Sequence, residues 1–167
     1  RFANVAFSNG SLLAAFLQRL ARRQPLAAPR GTSRYFVTQE EAAEICLLAA
    51  LAIPDGMLLI PRLDPRSQSH ELSTIAERVL HVHGLRAVPY DDEIAARHDV
   101  EHLARQGAWP LLLTPLDTSG EKRYEEFVGR SETTEELGFA ALLGIRHRPG
   151  SADLGPVLED LERMVTD

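Results

Sequence analysis

The chain has 167 residues, of which 44% are hydrophobic and 25% charged, with a net charge of −6 and one cysteine. That is a soluble globular profile with a core of one domain or slightly more. It excludes a general nucleic-acid binder, which needs a basic surface, a disulfide-stapled scaffold, and a membrane-spanning helix, for which no apolar run is long enough. Of the 18 basic residues only Lys122 is lysine. The opening Arg1-Phe-Ala-Asn-Val5 has no initiator methionine or leader and reads as a cut into a longer chain.

Residues 1–5 alternate as a strand does, and Ser8-Asn9-Gly10 ends them in a turn. Ser11 caps a helix to about Arg23, with Leu12, Leu13, Phe16, Leu17 and Leu20 on one stripe. The prolines and glycine of 24–31 predict a loop. Tyr35-Phe36-Val37 is a short strand, and Thr38 with Glu41 forms a capping box opening a well-buried helix to about Ala52. Pro54-Asp55-Gly56 turns the chain into Met57–Ile60, an apolar run suited to a strand covered on both faces. Residues 61–68 read as irregular. Ser69 caps the next helix, with its stripe at Leu72, Ile75, Ala76, Val79 and Leu80 and its stop at Gly84.

A strand over 85–89, a polar surface helix over 91–106, a strand over 109–114 and a loop over 117–122 follow. Helices are predicted at 134–143 and 154–165, around a Pro149-Gly150 break. The alternation makes the class α/β.

His98-Asp-Val-Glu101-His102 has the spacing of an H-x-x-E-H zinc signature. The charged helix around it argues for surface decoration, and a zinc hydrolase is kept only as a remote alternative. Cys46, on an apolar helix face, reads as an inert thiol. No G-x-S-x-G elbow, no phosphate loop and no G-x-G-x-x-G turn occurs. Asn4, Ser8-Asn9-Gly10, Arg34, Arg62 and the segment 119–122 stand at strand ends and loops, where α/β proteins place ligand contacts. Arginine there suits phosphate, because guanidinium offers a fork of donors and keeps its charge.

In order, these segments resemble one family. Residues 1–11 are similar to the R-F-G-N-V-x-x-S-x-G-S segment of nucleotide-sugar 4,6-dehydratases and epimerases of polysaccharide biosynthesis, extended members of the short-chain dehydrogenase/reductase superfamily. Ser33–Thr38 resembles their T-R-Y/F-F-M-T, Met57–Arg62 a strand ending in V-P-K, and residues 117–127 the G-E-K-x-x-E loop. The resemblance covers about residues 1–145 and is nearest to UDP-N-acetylhexosamine 4,6-dehydratases. It implies the C-terminal part of such an enzyme: the last Rossmann strands and substrate-binding lobe over 1–145, and a helical tail over 146–167.

The resemblance implies that Asn4 binds the sugar or its diphosphate and that Arg34 neutralises the pyrophosphate. Arg62 would touch nucleotide or phosphate, and Glu121 and Lys122 would cover the nucleotide end. The complete enzyme would use NAD(P) to oxidise the sugar at C4, lose water across C5 and C6, and return hydride to C6. The chain has no Tyr-x-x-x-Lys pair and no cofactor loop, so the reading is a binding portion that is not competent alone. The alternative is a free-standing sugar-nucleotide binding or interaction domain. Cytoplasmic location, no metal, and homo-oligomers through exposed strand edges complete the expectation.

Overall fold

Side-chain caps at Ser11, Thr38 and Asp92 set where the helices that follow them begin, and short strands fill the intervals. The computed structural model describes residues 1–116, 124–147 and 155–166. β1 (Asn4–Val5) turns into α1 (Leu12–Ala21), whose N-cap Ser11 hydroxyl accepts the Ala14 amide at 3.2 Å. β2 (Leu26–Pro29), β3 (Ser33–Arg34) and β4 (Phe36–Val37) lead to α2 (Gln39–Leu51). The capping box of α2 is complete: the Thr38 hydroxyl takes the Glu41 amide at 3.1 Å, and the Glu41 carboxylate takes the Thr38 amide at 2.7 Å.

β5 (Met57–Pro61), the short α3 (Pro65–Gln68) and β6 (His70–Glu71) precede α4 (Leu72–Val82), β7 (Arg86–Tyr90), α5 (Glu93–Ala104) and β8 (Ala108–Thr114). β9 (Thr134–Glu135), β10 (Leu142–Arg146) and α6 (Gly155–Thr166) close the described residues. Parallel ladders join β1 to β4 and order β2-β8-β7, while antiparallel ladders join β3 to β6 and order β5-β10-β9. The class is therefore α/β, with separate parallel and antiparallel sheets.

The largest core cluster packs Phe16 of α1, Leu26 of β2, Ala76 and Leu80 of α4, Val100 of α5, and Trp109 and Leu111 of β8. These residues come from elements up to about a hundred positions apart, so this core is a tertiary product. The Trp109 indole also donates to the Gln24 carbonyl at 3.0 Å, which ties the start of the β2 segment to β8. A second cluster holds Ala3, Tyr35, Val37 and Ala42, and a third Ile45, Leu59 and Leu142.

Several expectations are corrected. The loop expected over 24–31 contains β2, in which Leu26 and Ala28 are buried and alternate with half-buried neighbours. Its prolines masked the signal, yet β2 is an edge strand, where a missing amide is tolerated. The helix expected over 134–143 is β9 and the start of β10, separated by Gly138 at φ +83°. Ser69 is not the cap of α4; the irregular stretch continues through α3 and β6, and α4 begins after Glu71. α2 is apolar around much of its circumference but covered on one side only. Ala42 and Ile45 are buried, whereas Cys46 is exposed and Leu47 and Leu51 are 59% and 82% exposed. Met57–Ile60 does form a strand, but its ladder partner is β10, antiparallel; its contact with the opening segment is the Arg1 amine donating to the Leu59 carbonyl at 2.6 Å.

Candidate functional site

Asn4 is fixed by its strand. In the β1–β4 ladder it stands opposite Phe36, its amide donates to the Tyr35 carbonyl at 3.2 Å, and its side-chain amide reaches the same oxygen at 3.4 Å. The chain then reverses tightly. Phe7 and Gly10 are left-handed, at φ 56° and 77°, and between them the Ser8 hydroxyl donates to the Val5 carbonyl at 2.9 Å. Glycine takes this conformation without strain, but phenylalanine does not, and such residues concentrate beside functional sites. The Ser11 amide donates to the Ser8 carbonyl at 3.0 Å, so the turn delivers the N-terminus of α1 to the end of β1.

Arg34 of β3 and Leu72 at the start of α4 form the far wall, joined through the Leu72 amide to the Thr32 carbonyl at 2.9 Å. The resulting cavity, about 350 Å³, gathers Asn4, Ser8, Asn9, Arg34, Phe36 and Leu72. It offers an amide, hydroxyls, apolar walls and a helix N-terminus, whose first amides lack intrahelical acceptors. Among the described residues, Arg34 is the one charged side chain in its lining. Such a set suits a polyhydroxylated anion of small-ligand size.

Arg34 is itself gripped from outside the cavity. Its Nε pairs with the Glu125 carboxylate at 3.0 Å, and Nη1 donates to the Ser33 carbonyl at 2.9 Å. Next to it, the rings of Tyr35 and Phe127 lie 5.5 Å apart. Farther along the same segment, both terminal nitrogens of Arg1 donate to Glu132, at 2.6 and 2.7 Å. That ion pair, with the Gly129 amide, lowers the Glu132 carboxyl to about 2.

The structure brings Asn4, Ser8-Asn9-Gly10 and Arg34 together, and it does not bring Arg62 to them. Arg62 pairs with Glu136 at 2.5 Å and lines a different cavity, of about 530 Å³, with Glu41, Glu44, Leu63 and Phe139. Phe36 lines both cavities. Glu121 and Lys122 lie outside the described residues. Sequence reasoning missed Glu125, whose only local sign was the acidic run after the G-E-K segment, and the walls supplied by Phe36 and Leu72.

The H-x-x-E-H residues stand on the solvated face of α5. Glu101 is engaged by Arg23 at 2.6 and 2.7 Å, and His98 contacts Asp99. The Tyr90 hydroxyl donates to Asp99 at 2.7 Å, which raises the phenol and lowers the carboxyl. No group of three or more His, Cys, Asp or Glu side chains converges on a metal-sized site among the described residues. No described helix is long and apolar enough to cross a membrane.

The chain is similar to a solved structure titled Pen from Bacillus thuringiensis, with a TM-score of 0.61 and 22% identity over 92% of this chain. It spans 40% of the length of that protein, and at this identity the likeness carries the fold. No curated protein matches. A family model described as polysaccharide biosynthesis protein matches residues 1–146, most of the chain and all of the cavity described above, and the chain belongs to that family.

Proposed function

We propose that this chain is the nucleotide-sugar-binding portion of a 4,6-dehydratase or epimerase of polysaccharide biosynthesis, with a UDP-N-acetylhexosamine as ligand. The observation that carries the reading is one cavity joining Asn4, the Ser8–Ser11 turn and Arg34, three segments that lie within the stretch the family model matches. In this reading Asn4 bonds the sugar or diphosphate, and Arg34 with the α1 N-terminus takes the diphosphate charge. Arg62 keeps a lesser role at the nucleotide or its phosphate, reached past Phe36. Glu121 and Lys122 cover the nucleotide end.

NAD(P) belongs to the complete enzyme of this reading and does not fit the residues present here. The turn after β1 reads Ser8-Asn9-Gly10-Ser11, with no G-x-G-x-x-G, and no tyrosine stands four positions ahead of a lysine. Homo-oligomerisation and a cytoplasmic setting are part of the same proposal. The second reading is a free-standing sugar-nucleotide binding or interaction domain without redox chemistry.

Titration calorimetry with UDP-N-acetylglucosamine tests the cavity. Arg34→Gln is expected to weaken binding by about tenfold or more, the worth of a charge-assisted hydrogen bond to phosphate, with Asn4→Ala weakening it less. Equal affinity in wild type and Arg34→Gln overturns the assignment. Formation of a 4-keto-6-deoxy sugar by the chain supplied with NAD⁺ overturns both the claim that it is not competent alone and the redox-free alternative.

A further inference from the structure

We infer that Glu125 is a built-in competitor for Arg34: a diphosphate in the cavity and the Arg34–Glu125 ion pair exclude one another. This rests on reading the cavity as a diphosphate site.

The arrangement is a two-point grip. Adjacent residues Arg34 and Tyr35 hold Glu125 and Phe127, two positions apart on the facing segment. Phe127 is the anchor, since its ring packs on the cluster of Ala3, Tyr35, Val37 and Ala42 and its carbonyl accepts the Arg1 guanidinium at 2.9 Å. With Phe127 seated, Glu125 is delivered to Arg34 Nε at 3.0 Å.

Two observations make the pair a competitor. Among the described residues Arg34 is the one charged lining residue of the cavity, so a carboxylate already on it offsets charge that would recruit an anion. The pair is also open to solvent on the Glu125 side, with side chains 19% and 37% accessible, so water and a competing anion can reach the carboxylate. Because coupling is reciprocal, an anion that displaces Glu125 loosens the grip on residues 124–127 by the same factor that the grip weakens the anion. If Glu125 instead served to orient the Arg34 fork, its removal would weaken the ligand. The two roles have opposite signs.

The test is calorimetry on wild type, Glu125→Gln, Arg34→Gln and the double variant, with inorganic pyrophosphate and UDP-N-acetylglucosamine as probes and uridine as the uncharged control. Glu125→Gln is expected to bind both anions about two- to fivefold tighter, the equilibrium worth of a partly exposed pair. Uridine should not change, and the gain should vanish in the Arg34→Gln background. Pyrophosphate should also speed amide exchange of residues 124–127 in the wild type. Equal or weaker anion binding by Glu125→Gln overturns the competitor role. A gain seen with pyrophosphate while the sugar nucleotide binds no variant upholds the competitor and overturns the substrate reading. If neither anion binds any chain at millimolar concentration, both fall.

Discussion

Replacing Trp109 with phenylalanine tests the join between the start of the β2 segment and β8. The indole is 4% exposed, and its Nε1 donates to the Gln24 carbonyl at 3.0 Å. Losing that bond costs about 1 kcal/mol, the usual net worth of a part-buried hydrogen bond, with Gln24 half-buried. Phenylalanine also gives up roughly 40 Å² of buried apolar surface, worth about 1 kcal/mol at 25 cal/mol per Å², and the vacated volume adds to this because the core relaxes only partly. The expected loss is therefore about 2–3 kcal/mol, a fall in midpoint of about 4–12 °C for a chain of this size. Trp109 is the one tryptophan, so unfolding by urea is followed by far-UV circular dichroism in both proteins. A loss under about 0.5 kcal/mol with an unchanged denaturant slope would refute the claim that the indole is a core residue bonded across the sheet.

Acid sensitivity should carry the mark of Glu132. Its carboxyl titrates at about 2 in the fold against an ordinary 4.5, so its stabilisation is present above pH 4.5 and disappears as pH falls toward 2. In Glu132→Gln the stability gap to wild type should shrink across that window in acid-titration unfolding; a gap independent of pH contradicts the assignment. Gly10→Ala should cost about 1–2 kcal/mol, all of it backbone strain. The residue sits at φ +77°, and an added Cβ there meets nothing within 4 Å, so chemical denaturation should show the loss without a rearranged core. A neutral Gly10→Ala would mean the turn before α1 relaxes at no cost.

Local signals were legible wherever a few neighbouring residues decide the outcome. The Thr38–Glu41 capping box is present atom for atom, and α4 stops at Val82 just ahead of Gly84, left-handed at φ 72°. The β8 strand was legible from its apolar run. What depended on distant partners was hidden. β2 is a strand because β8 lies beside it, and β10 because β5 does. The outer side of α2 reads as core from composition, since sequence alone does not say how many neighbours a helix meets. The candidate site divides in the same way. Asn4, Ser8 to Gly10 and Arg34 stand out by residue type at strand ends and do converge. Arg62 has the same credentials and faces another cavity, and Glu125 matters only because Phe127 packs on Tyr35.

The ladder between β2 and β8 has a consequence for how the molecule is made. Leu26 pairs with Leu111, so β2 leaves the ribosome 85 residues ahead of the strand that completes it. At synthesis rates of about 5–20 residues per second, that interval lasts about 4–17 s. α1 can wind at once behind its Ser11 cap, but Phe16, Leu26 and Ala28 have no Trp109 or Leu111 to cover them during that time. The nascent chain thus carries an uncovered apolar surface until β8 emerges. Slowing elongation just before the codon for Leu111 should raise the yield of aggregated product, whereas the same pause placed after β8 should not.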